Sequence, residues 1–200
     1  MSNTPIFCIV GMSGSGKTTI LDGLIDYFIK FSDANIKRLV YHTTRKKRPN
    51  EIDGSDYVFD DKIPEEDKIV EIRGYKKHDE GTVYYYTTYD DIKDDKVDAY
   101  ICAASMIQTL RYIDQLENVH VICLKSPVKD RIYRALSRAN SNDQCLEVCR
   151  RMLEEREEFG MIDHIDSSLI YEIDNSNSSN LDMNIIQIAG YINDTLAELV

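Results

Sequence analysis

Residues 11–18 restrict the possible fold of this 200-residue chain more than any other segment. Their sequence, GMSGSGKT, fits the pattern G-x-x-x-x-G-K-[ST] at every fixed position. Such a loop joins a buried strand to the start of a helix, because its glycines bring backbone N–H groups close to phosphate oxygens. The flanking residues fit, since apolar Ile6–Val10 precede the loop and a helical apolar pattern, 18–31, follows it. The loop therefore predicts binding of a nucleoside triphosphate.

The side chains of the loop predict how the donor nucleotide is bound. Lys17 reaches the outer phosphates, the Thr18 hydroxyl ligates Mg²⁺, and the helix that follows adds the positive end of its dipole. The predicted ATP-binding residues are Gly11, Ser13, Gly14, Ser15, Gly16, Lys17, Thr18 and Thr19. The loop alone does not separate kinases from other nucleotide-hydrolysing proteins, although the N-K-x-D tetrapeptide with which GTPases read guanine is absent.

The order of apolar runs along the chain predicts the fold class. Strands are predicted at 39–44, 69–75, 83–88, 99–104, 119–125 and 169–173, and helices at 106–116, 127–138, 143–159 and from 181 onward. This alternation predicts an α/β fold of the phosphate-loop NTPase type, with a mostly parallel sheet flanked by helices. The stretch 37–92 breaks the alternation and is richer in strands and turns, so it is predicted to be an inserted subdomain.

Charge and composition exclude several kinds of partner. The net charge of −11 argues against nucleic acid and anionic membranes as partners. No apolar run is long enough to span a bilayer and no secretory signal is recognisable, so we expect a cytoplasmic protein. Five cysteines, an odd number, argue against a disulfide framework. The histidines, His42 among them, stand alone in the sequence and are assigned structural or surface roles.

A local cluster of positive charge runs against the acidic composition. Residues 37–48 contain six basic side chains and no acidic one. Such a run is usually a solvated surface loop. However, a cation about 4 Å from a phosphate contributes about 4 kcal/mol at an effective dielectric of 20, so a local cluster outweighs a screened global charge.

Residues 41–59 resemble the signature of guanylate kinases, T-T-R-x-x-R-x-x-E-x-x-G-x-D-Y-x-F, at nine positions of fixed spacing. The resemblance is strongest over residues 6–60. It implies that Arg45, Arg48 and Tyr57 bind the phosphate of an acceptor nucleotide. Two guanidinium forks and a phenol are chemically suited to the oxygens of a monophosphate.

The same resemblance extends to later residues. It implies that Glu71 and Thr87 contact the acceptor base and that Tyr85 contacts its phosphate. A single carboxylate at position 71 would accept both donors of guanine, N1–H and the 2-amino group, whereas adenine has no donor at N1. It further implies a helical lid at 127–160, whose arginines Arg134, Arg138 and Arg151 act with Lys17 in catalysis. Pairing of lid arginines with Glu147, Glu154 and Glu155 is the alternative.

The chain departs from the family pattern near the predicted base site. Tyr41 stands where relatives carry a small hydroxyl residue, and Tyr86 replaces a glycine. The predicted strand at 99–104 and Ser105 carry no carboxylate, where relatives have acidic residues. We consider Ser105 a candidate contact to the base instead.

The sequence thus predicts a single domain whose core comprises residues 1–36, 93–126 and 161–200. It is interrupted by the acceptor-binding subdomain, 37–92, and the lid, 127–160. The expected reaction is phosphorylation of GMP or dGMP by ATP and Mg²⁺, by a monomer or homodimer. Two alternatives stay open: a related kinase for another deoxynucleotide or a phosphorylated sugar, and a non-catalytic interaction module.

Overall fold

A five-stranded parallel sheet forms the centre of the chain in a computed structural model, which describes residues 4–49, 51–77, 81–177 and 180–199. Its strands are β1 (Ile6–Val10), β2 (Ile36–Arg38), β7 (Ala99–Ala103), β8 (Val119–Lys125) and β9 (Ile170–Asp174). They lie in the order β2-β7-β1-β8-β9. All five residues of β1 are buried, as expected for a strand covered on both faces.

Helices cover both faces of this sheet. They are α1 (Lys17–Phe31), α2 (Met106–Gln115), α3 (Val128–Leu136), α4 (Asn142–Phe159) and α5 (Leu181–Glu198). The apolar stripes of α1 and α5 pack against one face, around Phe7, and α2 packs against the other, where Tyr112 is fully buried. The predicted α/β fold class is confirmed. Across the described ranges, no helix has the length and apolar character needed to cross a lipid bilayer.

A second, four-stranded sheet projects from the chain between β2 and β7. It contains β3 (His42–Thr43), β4 (Val58–Phe59), β5 (Ile69–Lys77) and β6 (Gly81–Thr88), in the order β4-β3-β6-β5. β5 and β6 form a long antiparallel pair. The charged loop predicted at 76–81 includes residues 78–80, which lie outside the described residues.

The single strand predicted at 39–44 is wrong, because the chain passes there from one sheet to the other. The Leu39 N–H donates to the carbonyl of Ile101 at 2.9 Å and extends the edge of the central sheet. The Thr43 hydroxyl donates to the carbonyl of Tyr84 at 2.9 Å in the second sheet. An apolar pattern does not distinguish two short strands in different sheets from one longer strand. The other predicted elements are confirmed, with ends shifted by at most two residues.

The loop at 11–18 lies between β1 and α1 and is pressed against two other elements. A Cβ atom on Gly14, whose φ is +80°, would collide with the backbone of Arg131 in α3. On the other side, the Asn175 side-chain amide donates to the carbonyl of Ser15 at 2.7 Å. The packing of the core therefore fixes the shape of the loop.

This close approach predicts that Gly14→Ala destabilises the protein by about 1–3 kcal/mol, because alanine adopts a positive φ only with strain and its methyl group displaces α3. Gly190→Ala is the matched control. Gly190 lies in α5 with nothing near its missing Cβ, so alanine there should stabilise by about 0.5–1 kcal/mol. Denaturant unfolding measures both. Equal stability of the two variants would contradict a tightly packed loop.

Candidate active site

The loop at 11–18 contains a buried hydroxyl that a ligand could satisfy. Gly16, with φ +95°, is the N-cap of α1, and a Cβ there would lie 2.5 Å from the Asn175 amide nitrogen. Ser15 is buried, and its hydroxyl oxygen has no hydrogen-bond partner within the described residues. A buried polar group without a partner is costly, so a ligand that supplies one is favoured.

Lys17 and the threonines after it face a cleft of about 670 Å³ beside the loop. The Lys17 ammonium donates to the carbonyl of Gly11 at 2.5 Å, folding back over the loop. Burial lowers the pKa of Lys17, and the carboxylates of Glu155 and Glu158 oppose that shift. Thr18 and Thr19 are exposed and line the cleft.

The structure brings two of the three predicted lid arginines to this cleft. Arg138 and Arg151 line it opposite the loop. Arg134 instead donates to the carbonyl of Asn175 at 2.8 Å and to the side chain of Asn177 at 2.9 Å. In this arrangement Arg134 braces the backbone next to the loop, while the other two face the space where a triphosphate would lie.

The lid carboxylates divide their partners differently from the simple pairing considered above. Glu147 and Glu154 pair with Arg150 on the exposed side of α4, and Glu147 also lies 3.8 Å from Arg151, as the alternative expected. The Glu155 carboxylate instead accepts hydrogen bonds from the N–H and the hydroxyl of Ser13, at 2.5 and 2.6 Å. An anion of the protein thus occupies two donors of the phosphate loop. This contact spans 142 residues, and no local sequence pattern indicates it.

Arg45 is the buried centre of the predicted acceptor site. Its guanidinium forms a two-point ion pair with Glu51, at 2.5 and 2.7 Å, and its Nε–H donates to the Tyr85 hydroxyl at 2.9 Å. The Tyr57 ring lies 4.8 Å from the guanidinium carbon and the Phe59 ring 5.4 Å away. The pair with Arg45 lowers the pKa of Glu51 to about 2.

The remaining phosphate-site arginine is close but oriented outward. The Arg48 N–H donates to Glu51 at 2.9 Å, whereas its guanidinium is largely exposed and lies 3.9 Å from that carboxylate. Glu51 therefore organises both arginines. Glu51 is the fixed glutamate of the 41–59 signature. The sequence analysis matched it to the signature but did not assign it a role.

Glu71 forms the other end of the acceptor site. It is buried, and its Oε1 accepts from the Gln108 amide at 3.1 Å and, more weakly, from Thr87 at 3.5 Å. Its Oε2 is buried without a hydrogen-bond partner among the described residues. Burial raises the pKa of Glu71 to about 7. Thr87 also hydrogen-bonds Tyr112, whose hydroxyl lies 2.6 Å away.

The departures from the family pattern have structural roles in this chain. The Tyr41 hydroxyl donates to the sulfur of Cys102 at 3.4 Å, and its ring packs against the core on that face of the central sheet. Ser105, considered a candidate base contact, caps α2 by accepting from the Gln108 N–H. The residue that α2 directs to Glu71 is Gln108, which the sequence interpretation did not include.

His42 is not isolated, as its position in the sequence suggested. Its ring lies between two carboxylates, 2.6 Å from Asp60 and 3.1 Å from Asp91, and stacks on Tyr86. The Tyr86 hydroxyl also donates to Asp60 at 2.6 Å. The hydrogen bond to Asp91 and then that to Asp60 raise the pKa of His42 against the opposing effect of burial. This cluster joins the second sheet to the segment that returns to the core.

Fold and site together define a class: an α/β protein with a G-x-x-x-x-G-K-T loop and an inserted sheet beside which Glu51 holds Arg45 and Arg48. A sequence profile of the guanylate kinase family matches residues 3–169 of the chain. Because this match covers more than four fifths of its length, the chain belongs to the guanylate kinase family.

Individual relatives agree with this assignment. The guanylate kinase of Mycoplasma genitalium is 29% identical over 171 residues, which are 80% of this chain and 65% of the relative. That of Wolbachia pipientis wMel is 28% identical over 193 residues, covering 90% and 85%. The chain thus spans slightly less than two thirds of the Mycoplasma protein. The structure of guanylate kinase from Anaplasma phagocytophilum has the same fold, with a TM-score of 0.58, 20% identity and coverage of 98% and 87%.

The cluster around His42 predicts a pH-dependent contribution to stability. Folding raises the pKa of His42. Such a group contributes its full stabilisation at pH values below its unfolded-state pKa, and the stabilisation is lost as the pH rises through its folded-state pKa. His42→Gln should therefore lower the free energy of unfolding more at about pH 6 than at about pH 8. His120→Gln is the control with the opposite sign, because burial lowers the pKa of His120. A larger loss for His42→Gln at high pH would refute the ion-paired arrangement.

Proposed function

We propose that this protein transfers the γ-phosphoryl group of ATP to a guanine nucleoside monophosphate, GMP or dGMP. The observation that carries the proposal is the buried Glu71 carboxylate, whose Oε2 has no partner among the described residues, in the same chain as an intact phosphate loop. The first feature suits an acceptor base and the second a donor triphosphate. Membership in the guanylate kinase family supports the same reaction.

The donor half of the site suits ATP with Mg²⁺. The glycine-rich turn of the loop, the unpartnered Ser15 hydroxyl and Lys17 would provide donors and positive charge for phosphates. Thr18 would hold Mg²⁺, which usually binds through one or two protein ligands and the substrate's own phosphates. When bound, the ion neutralises the charge that develops on the phosphates during transfer.

The acceptor half suits a monophosphate joined to guanine. Arg45, Arg48, Tyr57 and Tyr85 lie around one pocket end, where guanidinium and phenol groups bind phosphate. Glu71 at the other end accepts hydrogen bonds from guanine when it is ionised. Adenine would leave one oxygen of the Glu71 carboxylate unpaired, at a cost of several kcal/mol in a buried site.

The chemistry requires alignment and charge neutralisation rather than a covalent intermediate. Lys17 with Arg138 and Arg151 would neutralise the transferring group, and Arg134 would keep the loop in place behind it. Closure of the lid and the acceptor subdomain would exclude water, which otherwise competes with the acceptor for ATP.

The proposal includes the setting of the reaction. We place the protein in the cytoplasm, as a monomer or homodimer acting on free nucleotides and not on nucleic acid or membranes, in keeping with its net charge of −11. A second candidate is a kinase of the same kind for another deoxynucleotide or a phosphorylated sugar. The absence of a carboxylate from residues 99–105, where relatives carry acidic residues, favours it.

A coupled assay of ADP release with GMP, dGMP, AMP, CMP, UMP and dTMP as acceptors tests the proposal. We expect kcat/KM for GMP or dGMP to exceed that for AMP by about 10⁴-fold. Because the reaction requires ionised Glu71, kcat/KM for the guanine nucleotide should rise about tenfold per pH unit below about pH 7 and level off above that pH.

Glu71→Gln is the matched variant for this assay. It should lose most of the preference for guanine and the pH dependence near 7, while KM for ATP stays within about twofold. Equal rates with all acceptors would refute guanine specificity. Absence of turnover with every acceptor would refute the kinase assignment and favour a non-catalytic interaction module.

A further inference from the structure

Arg73 lies on the same strand face as the predicted base-reading residue. Side chains alternate along a strand, so Glu71, Arg73 and Tyr75 of β5 point to one side. Across the antiparallel pair, Glu71 is opposite Thr87 and Arg73 is opposite Tyr85. Two residues along β5 from the Glu71–Thr87 pair, the cross-strand pair is therefore Arg73 with Tyr85, the tyrosine that contacts Arg45.

A continuous chain of contacts connects Arg73 to the phosphate end of the site. Its guanidinium carbon lies 4.6 Å from the centre of the Tyr75 ring. That ring packs edge-on against Tyr85 at 5.5 Å, and the Tyr85 hydroxyl accepts from Arg45 at 2.9 Å. Arg73 thus stands between the carboxylate suited to a base and the arginine suited to a phosphate.

The lid holds this guanidinium in place. Arg73 donates from both terminal nitrogens to the carboxylate of Glu158 in α4, at 2.8 and 2.7 Å. Only 20% of the Arg73 side chain and 14% of the Glu158 side chain are exposed. Glu158 also accepts from the Ile107 N–H at 3.3 Å. A guanidinium carries five N–H groups, and the three not used here have no hydrogen-bond partner in the described part of the chain.

The position of Glu158 shows which way Arg73 faces. The Glu158 carboxylate pairs with Arg73, and three residues earlier on α4 the Glu155 carboxylate accepts hydrogen bonds from Ser13 of the phosphate loop. Arg73 therefore lies on the side of the acceptor pocket that faces the phosphate loop. In an in-line transfer, the acceptor phosphate must occupy this side, next to the γ-phosphate of the donor.

We propose that Arg73 is a further acceptor-binding residue, which contacts the monophosphate on the side facing Lys17, and that Glu158 is the residue that positions its guanidinium. The inference rests on the proposed function, because it assumes an acceptor monophosphate in this pocket. The charge of the pocket supports it. Arg45 already uses four of its five N–H groups on Tyr85, Lys46 and Glu51, so a phosphate dianion needs further donors, which Arg73 provides while it remains paired with Glu158.

The full-length variant Arg73→Ala tests the contact through the separation of KM values. We expect KM for GMP to rise about tenfold or more, with KM for ATP within about twofold of the wild-type value. Calorimetry should show a matching loss of GMP binding and no change for guanosine, which lacks the phosphate. Arg73→Lys keeps the positive charge but loses the forked geometry of the guanidinium, so its KM for GMP should lie between those of the wild type and Arg73→Ala. It also decides the question if Arg73→Ala does not fold.

The positioning role has its own test. Glu158→Gln should raise KM for GMP less than Arg73→Ala does, and it should add nothing when Arg73 is already alanine. Glu157→Gln, an exposed position on the same helix, is the matched control and should behave as wild type. Additive effects of the Glu158 and Arg73 substitutions would show that the two residues act independently and would overturn the positioning role.

Failure of this inference is distinguishable from failure of the proposed function. If the wild-type protein phosphorylates GMP and Arg73→Ala and Arg73→Lys keep its KM, Arg73 is not an acceptor residue and the function stands. If Arg73→Ala weakens the binding of guanosine and of GMP equally, the role of Arg73 is structural and the inference is wrong. If the wild-type protein neither binds nor phosphorylates GMP, both the proposed function and the inference fall.

Discussion

The rigid seat of the phosphate loop is the constraint on which the rest of the structure depends. Gly14 approaches the backbone of α3 too closely for any side chain, and Asn175 ties Ser15 to the end of β9. Asn175 is supported in turn by the Asn184 amide, 3.0 Å away on α5. The loop is thus fixed by the central sheet, by the first lid helix and by the last helix. Contacts within the protein therefore set the shape of the loop, which is the preorganisation that a phosphate site needs.

The second principle is the pairing of phosphate-site groups with carboxylates of the protein. Glu51 fixes Arg45, Glu158 fixes Arg73, and Glu155 lies on the Ser13 donors of the loop. Such pairing is how a chain of net charge −11 would build the proposed anion site. Its cations are few and are held in defined positions by acidic neighbours. A paired guanidinium keeps unused N–H groups, so it is able to donate to a phosphate without losing its own support.

Some parts of the site were predictable because their residues are close together in sequence. Residues 11–18 and the set Arg45, Arg48 and Tyr57 follow fixed short spacings, and the strands that carry Glu71 and Thr87 were recognisable from their apolar runs. Their functional roles remain predictions. The role of Ser105 was also readable, because S-x-x-Q before a helix is the pattern of a capping box.

Contacts from the lid were not predictable. Glu155 meets Ser13 across 142 residues and Glu158 meets Arg73 across 85, and these pairs depend on how α4 lies over two sheets. Charge patterns on a helix indicate its exposed pairs, such as Arg150 with Glu147 and Glu154, but not the partners of its inward face. The division of residues 39–44 between two sheets was not predicted for a similar reason, because tertiary structure determines which strands pair.

The central claim is that the loop and the acceptor pocket form one site that holds two nucleotides at once. Calorimetry with a two-headed ligand, in which adenosine and guanosine are joined by a polyphosphate chain, tests this most directly. If both halves face each other across Lys17, the ligand should bind at least about 100-fold more tightly than ATP or GMP alone, because the second half binds intramolecularly. Affinity no greater than that of ATP alone would contradict the account.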